Sequence, residues 1–203
     1  MMSASPVPLV LASGSATRAA MLRAAGVVFE TMPVAVDEAA LREALLAEGH
    51  DARAVADALA EMKALRASAR RPGALCLGAD QVLSCDGTIH AKPDSPEAAL
   101  DQLRALAGRT HRLHSAAVIA EDGRPVWRAM GEARMTMGRR SEAWLQDYVR
   151  RHWESIRHSV GGYRIEEEGV RLFERVEGDH WTILGLPLLP LLNFLAARGS
   201  IPS

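Results

Sequence analysis

Short apolar runs alternate with helically spaced apolar positions along most of this chain. Pro8-Leu9-Val10-Leu11-Ala12 is an apolar run closed by Ser13-Gly14-Ser15, and Met21, Leu22 and Ala25 then recur at helical spacing up to Gly26. This reads as strand, polar loop and helix. Val27-Val28-Phe29 predicts a second strand, and Asp37 caps a helix whose apolar face includes Leu41, Leu45 and Leu46. The opening is therefore βαβ-like. From Asp51 to about Ala69, Val55, Leu59, Met62 and Leu65 form a helical stripe. Lys63 lies beside that stripe, near the boundary of the buried face, where it can reach a neighbouring cleft.

Ala74 to Ala79 is an uninterrupted apolar run ending at Asp80, which puts Asp80 near the end of a buried strand. Asp86-Gly87 between two strand-like pieces predicts a hairpin turn. Ser95-Pro96-Glu97 supplies a cap, a proline at the first helical position and an early acid, and Gly108 ends that helix after Leu103 and Leu106. His111 to Ala120 and Pro125 to Met137 read as strands joined by Glu121-Asp122-Gly123-Arg124. Ser141 starts an amphipathic helix with Trp144, Leu145 and Tyr148. After a glycine-rich segment opened by Gly161-Gly162-Tyr163, Leu172-Phe173 and Val176 predict one more strand, and Pro187 starts a final helix through Leu191, Leu192 and Leu195. Strands alternating with helices, plus hairpins, predict an α/β protein with a mixed sheet flanked by helices.

The 203 residues fit one domain, or two small lobes sharing a core, and 48% hydrophobic with 24% charged residues is enough to bury that core. Lys plus Arg number 24 against 25 Asp plus Glu, so no global positive field exists to hold a nucleic acid or an anionic membrane. Phosphate recognition has to be local. Cys76 and Cys85 form neither a CxxC nor a His-paired metal spacing. The chain shows no secretory signal and no apolar run of the ~20 residues that a membrane span needs. The cytoplasm is the expected compartment.

Several residues carry candidate chemistry. The hydroxyl-rich loop Ser13-Gly14-Ser15-Ala16-Thr17-Arg18 at a helix start binds an anion or simply caps the helix. Asp80 holds a metal, activates water or caps the following turn. Lys92, in Ala91-Lys92-Pro93, aims a cation at phosphate or lies on the surface. Glu166-Glu167-Glu168 reads first as a solvated acidic run. His111 and His114, three apart on a strand, point to opposite faces and make a poor shared metal site. No GxxxxGK[ST] phosphate loop is present, which argues against a P-loop nucleotidase.

Taken together, these segments resemble the Maf family of nucleoside triphosphate pyrophosphatases from about Leu9 to Leu195. The resemblance rests on Leu11-Ala12-Ser13-Gly14-Ser15-Ala16-Thr17-Arg18 with Met21-Leu22 and Gly26-Val27-Val28-Phe29-Glu30. It continues through Gly78-Ala79-Asp80-Gln81-Val82, Ala91-Lys92-Pro93, Leu106-Ala107-Gly108-Arg109-Thr110-His111 and Gly185-Leu186-Pro187, in order. It implies an elongated, inosine-triphosphatase-like α/β fold with a nucleotide in a central cleft, often dimeric, using a divalent cation such as Mg²⁺ or Mn²⁺. Asp80 would be the catalytic base; Ser13, Ser15, Arg18, Lys63 and Lys92 would contact substrate phosphates. Glu30 with Asp80 would hold the metal, and Thr17, Gln81 and Glu166 would line the base-selecting part.

Ala16 and Thr17 stand where many members have Pro and Arg, and Glu166 stands where the pyrimidine-nucleotide branch has Gln. Gln81 after Asp80, with Glu166 after Gly162-Tyr163-Arg164-Ile165, is similar to the branch associated with 7-methylguanosine triphosphate. A carboxylate accepts hydrogen bonds from a guanine edge. The expected reaction is attack of water on the α-phosphate of a modified or non-standard triphosphate, giving monophosphate and pyrophosphate. A strict 7-methylguanosine triphosphate pyrophosphatase is the alternative enzyme. A nucleotide-binding regulator of cell division with incidental hydrolysis is the alternative outside catalysis.

Overall fold

The computed structural model describes residues 7–202. Its elements run β1 (Leu9–Leu11), α1 (Ala16–Ala24), β2 (Glu30–Thr31), α2 (Glu38–Ala47), α3 (Ala52–Ser68), β3 (Leu75–Cys85), β4 (Thr88–His90), α4 (Pro96–Leu106), β5 (Thr110–Glu121), β6 (Arg124–Met137), α5 (Glu142–Ile156), β7 (Phe173–Glu177), α6 (His180–Ile183) and α7 (Leu188–Ala197). The strands form a seven-stranded sheet of order β2-β1-β3-β5-β6-β7, with β4 paired to β3. Pairing is parallel for β1 with β2 and β3, and antiparallel for β3 with β4 and β6 with β7. The fold is the mixed α/β arrangement that the sequence predicts.

The chain clusters into two compact units. The first comprises residues up to Gln81, Ser115–Gly131 and from His180 onward; the second comprises Val82–His114 and Glu132–Asp179. In the first unit the period-two alternation of β1 and β3 splits the core in two. Leu9, Leu11, Leu75, Leu77 and Ala79 pack with Met21 and Leu22 of α1 and with Leu188, Leu191 and Leu195 of α7. The alternate residues Val10, Ala12, Ala74 and Cys76 pack with Ala67 of α3. In the second unit, α4 buries Ala99, Leu103 and Leu106, and α5 buries Leu145, Tyr148, Val149 and Ile156. Local chemistry sets the boundaries. Side chains of Ser15, Asp37, Asp51, Ser95 and Ser141 cap five helices. Both Asp-Gly turns place two consecutive residues at positive φ, Asp86 at 48° with Gly87 at 80° and Asp122 at 47° with Gly123 at 76°, the type I′ geometry of a tight hairpin.

Five expectations need correction. β2 begins at Glu30, after Val27-Val28-Phe29. The Val27 amide instead donates to the Leu22 carbonyl and that of Gly26 to Arg23, closing α1 in a Schellman motif, and Val28 is 89% exposed. Leu46 lies on the exposed side of α2. β3 runs on to Cys85, because Val82, Leu83 and Cys85 continue the buried strand, so Asp80 is in the strand's middle. Lys63 is buried within the packed face of α3, whose buried positions are Val55, Ala56, Leu59, Ala60, Lys63, Ala64, Ala67 and Ser68. Met62 and Leu65, assigned to the stripe, are only half-buried.

That alanine-rich face lets α3 approach β3 to backbone distance. A Cβ added at Gly78 would lie 2.0 Å from the Ala60 carbonyl oxygen and 2.5 Å from the Ala64 nitrogen, both backbone atoms with little room to move. Gly78→Ala is therefore expected to destabilise the protein by about 2 kcal/mol or more, at the upper end of overpacking effects. Urea unfolding of the variant measures this, and an unchanged midpoint would show that the helix and strand are not held this close.

Candidate active site

The close approach of α3 to β3 fixes the central contact. Gly78 and Asp80 are two apart on β3 and share a face, while Ala60, Lys63 and Ala64 share a face of α3. Lys63 Nζ donates to Asp80 Oδ1 at 2.6 Å, with Lys63 8% and Asp80 7% exposed. The same ammonium is 2.7 Å from Oε1 of Glu38. Glu38 is the first residue of α2, delivered there by the Asp37 cap, whose side chain accepts from the Ala40 amide at 3.0 Å. A buried ammonium without a carboxylate partner is strongly unfavourable, so two acids around Lys63 compensate what burial takes away. Glu38 is the site residue that sequence reasoning missed. Its only local signal is that of an acid in the first turn of a helix, which the helix dipole explains without any ligand.

The loop between β1 and α1 brings a second cation. Ser15 is the N-cap of α1, its Oγ accepting from the Arg18 amide at 3.3 Å, so the capping reading of that serine is realised. Ser13, 7% exposed, accepts from the Ser15 amide at 3.2 Å and from Arg18 Nη1 at 3.3 Å. The Arg18 guanidinium also donates from Nη1 to the Ala79 carbonyl at 3.0 Å and from Nε to the Gly185 carbonyl at 2.8 Å. Burial draws its pKa below the ordinary value, opposed by the carboxylates of Asp80 and Glu38. Thr17 is half-buried in the first turn of α1. The first amides of a helix have no intrahelical partner, and here Arg18 stands beside them, an arrangement suited to a phosphate.

Gln81 follows Asp80 but alternation turns it to the opposite face of β3. Its Nε2 donates toward Ser115 Oγ at 2.9 Å and the carbonyls of Ile183 and Thr182 at 3.0 and 3.2 Å. Glu30 is exposed on β2 and its carboxylate binds Arg71, which holds its pKa below the usual carboxylate range. The acid meeting the Lys63–Asp80 pair is Glu38, not Glu30. In the second unit, Lys92 is exposed on the segment between β4 and α4 and has no ion-pair partner among the described residues. Glu166 is gripped by Arg164, whose Nε and Nη2 reach its Oε1 at 3.1 and 2.9 Å. Glu167 is 2.7 Å from the same guanidinium, and Glu168 pairs with Arg151, His152 and Arg171, so the acidic run is an ion-pair network rather than a bare solvated stretch.

His111 and His114 have separate partners: Tyr163 Oη at 2.7 Å from His111 Nε2, and Ser84 Oγ at 3.0 Å from His114 Nε2. Burial, with a smaller contribution from His90, lowers the His111 pKa to about 4. Cys76 and Cys85 are buried free thiols. Among the described residues no three His, Cys, Asp or Glu side chains form a metal-holding group, and no helix is long and apolar enough to cross a membrane.

The family model described as Maf-like protein matches residues 8–198. A protein of Ruegeria pomeroyi named nucleoside triphosphate pyrophosphatase is 56% identical over 195 residues, covering 96% of this chain and 98% of its own length. Proteins of the same name from Roseobacter denitrificans and Sphingopyxis alaskensis are each 55% identical, over 97% and 96% of this chain and 99% and 98% of theirs. With the match running from the start of β1 through the end of α7, the chain belongs to the Maf-like protein family.

Proposed function

We infer that this protein is a nucleoside triphosphate pyrophosphatase, hydrolysing a nucleoside triphosphate to the monophosphate and pyrophosphate. The observation that carries the reading is the buried Lys63–Asp80 contact, with Arg18 electrostatically coupled to the same carboxylate. A carboxylate held rigidly beside two cations suits a reaction that brings a polyanion up to a general base. Lys63 occupies Asp80 Oδ1 and fixes the carboxylate's orientation. Oδ2 is then the atom that takes a proton from the attacking water. Arg18 and Ser13, at the start of α1, bind phosphate oxygens, and Lys92 is a further candidate phosphate contact by family resemblance. Cys76 and Cys85, both buried thiols, suit a reducing cytoplasm.

A divalent cation fits the donor set. Mg²⁺ is typically held by one or two carboxylates, with substrate phosphates and water completing its shell. Glu38 and Asp80 both reach Lys63 Nζ, at 2.7 and 2.6 Å, so two hard oxygen donors of the kind such an ion needs converge on one neighbourhood. Glu38 and Asp80 would hold it, and when bound it would neutralise charge on the phosphates. Substrate choice is assigned to Thr17, Gln81 and Glu166 by family resemblance, with a purine favoured because a carboxylate accepts from a guanine edge. The Arg164 grip fixes where the Glu166 carboxylate lies. The substrate class is a modified or non-standard triphosphate, 7-methylguanosine triphosphate among the candidates.

Incubation with a panel of standard and modified triphosphates and Mg²⁺ should release pyrophosphate, and binding without release would overturn the reading. Asp80→Asn should keep the fold and lower turnover by ~10²–10⁴, the range of general acid–base catalysis. Near-wild-type turnover removes Asp80 from the role of base. Lys92→Ala should lower turnover by ~10²–10³, as for loss of one electrostatic donor, and a change confined to thermal stability would make Lys92 structural. Glu38→Gln should raise the Mg²⁺ concentration needed for half-maximal activity by about tenfold or more, since one of two anionic ligands is gone. An unchanged Mg²⁺ titration would exclude Glu38 as a ligand.

A further inference from the structure

α2 carries Glu38 to the site, yet no residue of α2 is buried. An open groove of about 300 Å³ lies where Leu41 and Leu45 of α2 face Ala58, Met62 and Leu65 of α3, so apolar packing between the two helices is incomplete. The Asp37 cap fixes which residue begins the helix, since its carboxylate accepts from the Ala40 amide. That contact is internal to α2 and moves with it. Whatever sets the place of Glu38 has to come from outside the helix.

α3 supplies it. Residues 32–37, between β2 and α2, belong to no helix or strand. Met32 and Val34 pack against a group that includes Ala67 of α3. One residue on, the Ala35 carbonyl accepts from Nη1 of Arg66. Three residues further, Glu38 Oε1 stands 2.7 Å from Lys63 Nζ. Lys63, Arg66 and Ala67 follow the i, i+3, i+4 spacing that puts them on one face of the helix. Residues 34 to 38 thus run along that face against the direction of α3, held by an apolar contact, a carbonyl and a carboxylate in turn. The Glu38 amide donates to the Val36 carbonyl at 2.9 Å, a tight turn that leaves little slack between the Arg66 contact and the carboxylate.

We propose that Arg66 is a positioning residue for Glu38: by holding the Ala35 carbonyl it anchors the start of α2 on α3, and so places the Glu38 carboxylate where a divalent cation would be shared with Asp80. The assignment rests on the reading of Glu38 and Asp80 as ligands of that ion. The Lys63–Glu38 pair cannot do the anchoring alone, because a cation that draws the carboxylate to itself weakens that pair. The Arg66 contact falls on backbone and survives the exchange of partners. Arg66 and Ala35 are both exposed, so losing their contact leaves no cavity and no buried polar group without a partner.

The test compares wild type with Arg66→Ala and Arg66→Lys, using the triphosphate that the wild-type protein cleaves fastest. Loss of one modest hydrogen bond predicts that Arg66→Ala needs about fivefold more Mg²⁺ for half-maximal pyrophosphate release, with kcat at saturating Mg²⁺ within about twofold. Hydrogen–deuterium exchange of the α2 amides reads the same contact without metal or substrate, and should quicken about fivefold. Arg66→Lys keeps a donor and should bring both quantities to within about twofold of wild type. In a Glu38→Gln background Arg66→Ala should add less than about twofold to the Mg²⁺ requirement, since residues acting through one another are not additive. An unchanged Mg²⁺ requirement, with or without a lowered urea midpoint, would overturn the proposal, as would unchanged α2 exchange or an undiminished effect in the Glu38→Gln background. If Glu38→Gln itself leaves the Mg²⁺ titration unchanged, the ligand reading of Glu38 falls and this inference with it. If Glu38→Gln shifts the titration and Arg66→Ala does not, only this inference falls. A wild-type protein that releases no pyrophosphate from any triphosphate would sink the enzymatic reading, and the exchange measurement then still decides whether Arg66 anchors α2.

Discussion

An ammonium group held inside a protein dictates much of what surrounds it. Lys63 is 8% exposed, and an unpaired charge at such depth would be strongly destabilising, so Asp80 and Glu38 must both be delivered to the same nitrogen. Delivery sets conditions on three elements at once. α3 has to lie against β3, which requires the absent Cβ at Gly78 and the small face of Ala56, Ala60, Ala64 and Ala67. α2 has to begin at Glu38, which the Asp37 cap ensures. β3 has to continue past Asp80 in the core, so that the carboxylate is carried by a strand rather than a loop.

The two faces of β3 then divide the work. Gly78 and Asp80 serve the α3 side, where the carboxylate meets Lys63. Ala79 and Gln81 serve the opposite side, where the amide meets the 182–185 turn. Arg18 belongs to neither strand nor turn but draws on both, through the carbonyls of Ala79 and Gly185. Backbone carbonyls orient a guanidinium without adding negative charge that a phosphate would have to meet. An arginine so held has lost much of its rotamer freedom before any ligand arrives, which favours binding.

What the sequence made legible was local. Ser15, Asp37, Asp51, Ser95 and Ser141 act as caps because capping is a contact within three residues, and the Asp-Gly turns follow from the positive φ that their geometry demands. Asp80 stood out because it closes an apolar run, and Arg18 because it ends a hydroxyl-rich loop at a helix start. The burial of Lys63 did not, since a lysine beside a helical stripe reads as a boundary residue unless the strand opposite is known to carry a glycine. Glu38 was hidden for the same reason: its partner is 25 positions away on another helix, and nothing nearby distinguishes it from a first-turn acid. Glu30 was expected at the metal through family resemblance, and what the fold adds is the pairing of its carboxylate with Arg71. Gln81 sits beside the Asp80 carboxylate in sequence but across the strand from it in space, which only the pleat reveals.

The charge balance of the first unit's cluster bears on what must accompany the substrate. Arg18 and Lys63 contribute two positive charges, Glu38 and Asp80 two negative, so the group is neutral as it stands. A triphosphate carries several negative charges, and bringing it to a neutral cluster leaves them uncompensated where solvent is being displaced. Further positive charge has to come with it or meet it there. On the proposed reading a divalent cation would supply it, held by the two carboxylates that stabilise Lys63. A cluster that is neutral without substrate keeps its burial inexpensive in the fold, and by the same balance its affinity for a polyanion would rise with an ion supplied from outside.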